Sequence, residues 1–432
     1  MPNSNSVRHV SPFHSRWWLP RVLSLVLSVA LGIGLVELGL RLFWLKRLTL
    51  DAGIEDPHFH HRLKPSETYH YTSSEFDVHI RTNRFGLRGP DPVLPKPPGL
   101  FRILMLGDSF TFGFPVQDQE TFSSLIERGL QAHGYPVEVV NGGISGYSPV
   151  LEYIVLRDEF MQFDPDLVIL WYDRGDLQDD ALYERNLLYD PHGNILRCDP
   201  HYVNGQFDWW DWCQAHSALA KYLQTRIIRT VQKMQLLGVG GYLRVVLRGE
   251  RAKVAIARLK TEQQTSDLPM YDRFLMIRET TTPALLEHYW PISGRYVLMI
   301  RDLLAQRGIP FILGTYPYGV TAGATQWAEG RVYWGFERGK LYDSSAVRTV
   351  VGRFAQTEGI PLIRTGPSFR AAAQSEKLYY NWDGHMTAAG HRVLAEHVLQ
   401  DAPFLTLLEQ GLLRRQLLRG TARRGGDKSH GS

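Results

Sequence analysis

The sequence predicts an α/β fold: a three-layer, doubly wound parallel sheet, with an N-terminal transmembrane helix and a helical insertion. Three observations predict it. Short β-branched and apolar runs recur as "ILML", "VEVVN", "DLVILWY", "IPFILGTY" and "IPLI", the composition of parallel strands covered on both faces. Helical stretches separate them, the first with Thr121 as N-cap and Phe122, Leu125, Ile126 and Leu130 on one face. Glycine-rich turns follow the strands at "GDSFTFG" and "NGGISGYS". Strands alternating with helices imply parallel pairing through crossovers.

The elements follow in order. After Arg8, Arg16 and Arg21 comes the uncharged run Val22–Val36, about 23 Å long as a helix and short of the roughly 30 Å hydrocarbon core. Continuation to Leu45 supplies the length, with Glu37 and Arg41 four apart on one face and Trp17, Trp18 and Trp44 as interfacial anchors. No small-residue cleavage site follows cleanly, so 22–45 is expected to be a retained anchor behind a cytoplasmic tail, 1–21. Three arginines before the span meet Arg41, Lys46 and Arg47 after it, so the positive-inside count sets no orientation. Residues 46–97 are expected as an extended linker with β segments, 98–400 as the main domain, and 401–432 as a basic tail.

An insertion interrupts the main domain at about 181–283. It contains the basic stretch Thr225–Lys260, read as a solvated helical cover with membrane-surface contact as the alternative. It also holds the chain's two cysteines, Cys198 and Cys213. A disulfide closing that short loop is expected in an oxidising compartment, against the alternative of two free thiols. The aromatic run Phe207–Trp212 suits either sugar stacking or packing of the insertion.

Bulk composition sets the bounds. With 432 residues, 44% of them hydrophobic, the chain has room for a sizeable core. The net charge of +4 is concentrated beyond Leu412, where arginines and Lys428 face only Asp427; that end is expected to be disordered and solvated. No zinc-spaced Cys/His set, Walker loop or dinucleotide glycine pattern follows a strand, so no metal, cofactor or nucleic-acid partner is expected.

The stretch Ile103–Gly113 places Ser109 on a glycine-flanked turn leaving a strand. Such a serine is either an ordinary turn residue or a nucleophile at the carboxyl edge of the sheet. A nucleophile needs a base, an orienting acid and an oxyanion site. Three later stretches lie where these belong: Asn141–Ser148 after the second strand, Tyr172–Asp180 after the third, and "YYNWDGHMTAAGH" (Tyr379–His391) near the end.

Gly107-Asp108-Ser109, then Asn141 to Gly146, then Asp383-Gly384-His385, resemble in order and spacing the blocks of SGNH/GDSL-family hydrolases, over roughly residues 98–400. "FDVHIRTNRFGLRGP" (Phe76–Pro90) is similar to what membrane-tethered members carry ahead of the catalytic domain. The resemblance implies a serine ester hydrolase with Ser109 as nucleophile, His385 as base and Asp383 as its orienting acid. The Ser109 and Gly146 backbone N–H groups would receive the oxyanion, with Asn141 in the second block. His391 and His397 fall inside the closing helix and are read as packing residues. The substrate class implied is an acylated envelope glycan or lipid, acted on at the outer side of the inner membrane. Acyl transfer to a sugar hydroxyl is the alternative outcome.

One block departs from the family. Gly175 stands where an oxyanion asparagine is usual, and Gly175 has no side chain to donate. Removing one such donor costs about 2.7–4 kcal/mol. Arg174 as a charged substitute, Asp173 in another role, and a non-catalytic glycan-binding descendant all stay open.

Overall fold

The computed structural model describes residues 18–45, 53–223, 226, 272–343 and 345–426. Five parallel strands form the central sheet: β1 (Phe101–Gly107), β2 (Val137–Gly143), β3 (Leu167–Tyr172), β4 (Phe311–Thr315) and β5 (Leu362–Arg364). Their order is β2-β1-β3-β4-β5, every neighbouring pair parallel. The winding reverses between β1 and β3, where open sheets of this order leave a crevice outside their carboxyl ends.

Every residue of β1 and β3 is buried, because alternate side chains enter two different cores. Leu104, Leu106, Val168 and Leu170 pack with Ile154, Val297 and Val351 on one face. Ile103, Met105, Ile169 and Trp171 pack with Ile126, Leu394 and Phe404 on the other. Helices Pro149–Asp158, Pro291–Ala305 and Ser345–Thr357 thus cover one face, and Phe122–Ala132, Ala388–Val398 and Ala402–Gly426 the other. This is the expected three-layer α/β arrangement. Thr121 caps its helix as expected, accepting the Ser124 N–H at 3.3 Å.

Two segments add detail to the sequence reading or depart from it. The stretch expected as an extended linker with β segments carries two antiparallel hairpins, Gly53–Asp56 with His60–Leu63 and Thr68–Thr72 with Asp77–Arg81. Their period-two alternation turns Tyr71, Val78 and Ile80 into the core. The end beyond Leu412, read as disordered, continues the helix Ala402–Gly426 as far as Gly426. Phe404 and Leu408, one turn apart, anchor it in the second core, and Arg415 Nε bonds Asp166 Oδ1 at 2.6 Å.

A second unit takes in the described residues 18–45, 209–223 and 226. Its helix Trp18–Gly39 continues through a π-helical stretch, Leu40–Leu45, and Pro20–Leu42 is long and apolar enough to cross a membrane. Glu37 and Arg41 pair at 2.7 Å, and the Glu37 carboxylate also accepts the Ala218 and Leu219 N–H groups at 2.8 Å each.

The expected disulfide is not formed: both cysteines are free. Cys198 is held in strand Ile195–Cys198, where its buried thiol donates to the Tyr183 carbonyl at 3.7 Å. Cys213 lies in helix Trp209–His216 of the other unit. The basic stretch Thr225–Lys260, apart from Arg226, lies outside the described residues.

Candidate active site

The chain leaves β1 at Gly107, where a β-carbon would sit 2.1 Å from Thr111 Oγ1 and 2.7 Å from Thr111 Cβ. Only glycine permits that exit. Ser109 opens the short helix Ser109–Phe112, capped by Asp108, whose carboxylate accepts the Phe110 N–H at 2.8 Å and the Tyr316 hydroxyl at 3.0 Å. Burial, then the charge of Asp173, pushes the Asp108 carboxyl up to about 7.

Residues 379–386 double back on themselves through a Tyr379–Met386 bridge and a Tyr380 N–H bond to the His385 carbonyl at 3.0 Å. Asp383 and Gly384 form the tip. Gly384 has φ +91°, and a β-carbon on it would lie 2.7 Å from Trp327 Nε1, so glycine is required there. The fold brings His385 Nε2 to 2.9 Å from Ser109 Oγ. The other ring nitrogen, Nδ1, bonds Asp383 Oδ1, which also accepts the His385 N–H at 3.1 Å. Burial raises the Asp383 carboxyl, but the charge and hydrogen bonds of His385 outweigh it and hold the group below its ordinary value. Phe110 and Phe114 flank the imidazole, with centroids 4.8 and 5.3 Å away.

Glu75, in the turn of the Thr68–Arg81 hairpin, holds this loop from outside. Its carboxylate accepts the successive backbone N–H groups of Asn381, Trp382 and Asp383 at 2.5, 2.8 and 3.2 Å. Sequence reasoning missed it, since 308 positions separate Glu75 from Asp383. It lies one residue before the Phe76–Pro90 stretch singled out above.

Gly146, at φ +81°, sits in the loop after β2. That loop is pinned by two side chains: Tyr183 Oη donates to the Gly146 carbonyl at 2.7 Å, and His61 Nε2 meets the Ser145 carbonyl at 2.9 Å. Among the described residues, neither the Gly146 nor the Ser109 N–H is used in a turn, cap or loop hydrogen bond.

Of the remaining expected site residues, Asn141 and Gly175 have their donors engaged. Asn141 gives its amide to the Thr111 carbonyl and Ser123 Oγ, both at 2.9 Å, and its oxygen accepts the Gly143 N–H at 3.0 Å. With its polar atoms so engaged, it braces the Ser109 helix instead of binding. Gly175 starts helix Asp176–Tyr183 and donates its N–H to Asp173 Oδ2 at 3.0 Å. Arg174 Nη1 contacts both Asp173 oxygens, at 2.9 and 3.1 Å. Its guanidinium stacks on Tyr318 and Phe274, 3.1 and 4.6 Å from the ring centroids. Arg174 Nε is buried without a hydrogen-bond partner, so the guanidinium keeps a donor beyond its pairing with Asp173.

Two other histidines serve packing: buried His391 accepts the Phe122 N–H at 3.3 Å, and His397 Nδ1 meets Ser368 Oγ at 2.8 Å. Apart from the site, the exposed hairpin face brings ligand-type atoms of His70, Asp77 and His79 within 4.8 Å of one another, the one such group of three among the described residues.

The chain matches the model of the GDSL-like Lipase/Acylhydrolase family over residues 105–393 and belongs to that family. An arylesterase from Vibrio mimicus is 35% identical over 69 residues, which are 16% of this chain and 34% of that protein, so the chain spans about a third of the length of this curated relative. Among solved structures, TesA aligns over 71% of this chain and 99% of its own at 15% identity, with a TM-score of 0.35. A catalytic mutant of Axe2, an acetylxylan esterase from Geobacillus stearothermophilus, aligns over 69% and 93% at 14% identity, with a TM-score of 0.34.

Proposed function

We propose that this member of the GDSL-like lipase/acylhydrolase family hydrolyses carboxylic esters, with Ser109 as nucleophile, His385 as general base and Asp383 as the acid that orients it. One observation carries the reading: the continuous hydrogen-bonded relay from Ser109 Oγ through the imidazole to Asp383. Ser109 Oγ attacks the acyl carbon as its proton passes to His385 Nε2. The ionised Asp383 fixes the tautomer and stabilises the imidazolium. The oxyanion is received by the Ser109 and Gly146 N–H groups. Collapse of the intermediate returns the proton from Nε2 to the departing alkoxide, leaving the acyl group on Ser109. Water then attacks that ester, giving its proton to His385, and the acid departs as Ser109 regains a proton.

The apolar helix Pro20–Leu42 supports a tether, and the proposed substrates are acylated glycans or lipids of the cell envelope, met outside the inner membrane. A sugar hydroxyl in place of water would make the same residues an acyltransferase. Gly175 favours a second reading, a non-catalytic glycan-binding protein. Hydrolysis of p-nitrophenyl acetate by the full-length, detergent-solubilised protein separates them. A rate above buffer that Ser109→Ala removes supports the esterase; equal rates for the two proteins support the binding protein.

A further inference from the structure

A cavity of about 250 Å³ opens at the carboxyl ends of β3, β4 and β5, beside the nucleophile turn but without Ser109, Asp383 or His385 in its wall. Its floor is apolar, made by Met276, Ile277, Val347, Val351 and Leu362. Arginines stand around it. Arg174 is already paired with Asp173 at 2.9 Å, and Arg348 with Asp343 at 2.8 Å. The side chains of Arg364, exposed at the end of β5, and of half-buried Arg370, in the last turn of helix Gly366–Ala372, make no hydrogen bond or ion pair among the described residues. Asp343, the carboxylate whose charge reaches Arg370, is the one Arg348 engages.

An apolar wall with a few converging polar groups is the usual form of a small-ligand site, and the carboxyl edge of a parallel sheet is its usual place. Guanidinium groups without partners select carboxylate or phosphate, which they bind through two parallel hydrogen bonds. At about 30 Å³ per water-sized group, the space holds roughly eight such groups. We propose that this cavity binds a small anionic amphiphile, a carboxylate or phosphate head on an apolar chain of about six carbons, with Arg364 and Arg370 taking the head. The occupant sits one side chain from the catalytic turn, since Tyr316 lines the cavity and donates to Asp108 at 3.0 Å. The inference goes beyond the esterase reading and does not depend on it.

Calorimetric titration of the full chain in lipid nanodiscs tests it, with hexanoate, hexyl phosphate, 1-hexanol and acetate as probes. Hexanoate or hexyl phosphate should bind at least tenfold more tightly than either 1-hexanol or acetate. The tighter of the two anions identifies the source as a fatty acid or a phospholipid. The double variant Arg364→Gln/Arg370→Gln should lose the advantage of the anions over 1-hexanol. Val347→Trp, filling the apolar wall from a half-buried position, should lose hexanoate binding while both arginines stay. Ser109→Ala should bind as the wild type does, which keeps the result separate from the fate of the esterase reading. Equal affinity for hexanoate and 1-hexanol, absence of binding by either anion, or unchanged hexanoate affinity in the arginine variant would overturn the proposal.

Discussion

Two loops surround the Ser109 turn, and they are built on opposite principles. The loop 379–386 points polar atoms at the serine: His385 meets Ser109, Asp383 meets His385, and Glu75 ties down three consecutive N–H groups behind them. The stretch 173–175 turns most of its polar atoms on itself, Arg174 Nε excepted. Asp173 takes Arg174 and the Gly175 N–H, and its own N–H goes to Asp176 at 2.8 Å. The first loop also keeps its acid ionised, with Asp383 held low by His385. Near the second, burial pushes Asp108 and Asp180 up to about 7. The relay half of the site is therefore hydrogen-bonded from Ser109 to Asp383, while the half at 173–175 carries no side-chain amide.

The largest effects should break the first loop. Ser109→Ala and His385→Ala should each abolish ester hydrolysis, to a similar level, because members of such a relay act as a unit. Asp383→Asn should lower kcat by about 10⁴-fold by favouring the wrong imidazole tautomer. Steady-state rates on a short-chain ester measure all three.

Gly175→Asn sharpens the comparison from the other side. An asparagine there adds an amide to the half that lacks one, and a donor that strengthens as charge develops should raise kcat and kcat/KM together, by up to about 10²-fold. Its β-carbon would lie 3.1 Å from Asp173 Oδ2, so the carboxylate must give slightly. Arg174→Ala should act on stability instead, because it strands a buried carboxylate. A loss of about 3 kcal/mol is the scale for one partner of a buried pair, read as the denaturant midpoint, with kcat of the folded fraction nearly unchanged.

Glu75→Gln gives a smaller, kinetic effect. Glutamine keeps an acceptor oxygen but loses the charge and the second oxygen, so kcat should fall about tenfold at constant KM. Glu75→Asp should recover part of the loss, which loss of folding alone would not allow.

The sequence carried some of this architecture and not the rest. The strands were legible because burial on both faces leaves continuous apolar runs, and Ser109 and the Asp383–His385 pair because they sit in two short blocks marked by Gly107 and Gly384. Glu75 was not legible, since a lone glutamate in a turn acquires meaning only from a loop hundreds of positions away. Asn141 was misread because residue type shows an amide but not that Thr111 and Ser123 already use it. The cysteines were misread for a similar reason: being the only two says nothing of the strand and the separate helix that hold them. The stretch beyond Leu412 was read as a solvated end from its arginines, although it continues the helix that Phe404 and Leu408 dock.

The smallest expected effect is on stability. Asp108 and Asp180 are raised from 3.8 to about 7, so between those values the folded chain holds protons that the unfolded chain releases. Stability should therefore fall as pH rises from 4 to 7. Asp383 has the opposite sign: its contribution is present above the ordinary carboxylate value and is lost as pH falls through its lowered one. The thermal midpoint should drop between pH 5 and pH 8, and Asp180→Asn should flatten that drop. A midpoint that rises over this range in the wild type would show that these acids are ionised in the fold.

The relay at Ser109 is tested most directly by its own reactivity. The full-length protein in detergent is treated with a fluorophosphonate probe, and the modified residue is located by peptide mass. A reactive serine should give one adduct, on Ser109, that disappears in Ser109→Ala and forms at least a hundredfold more slowly in His385→Ala. No adduct on the wild type, or labelling that proceeds equally in His385→Ala, would contradict a serine activated by His385.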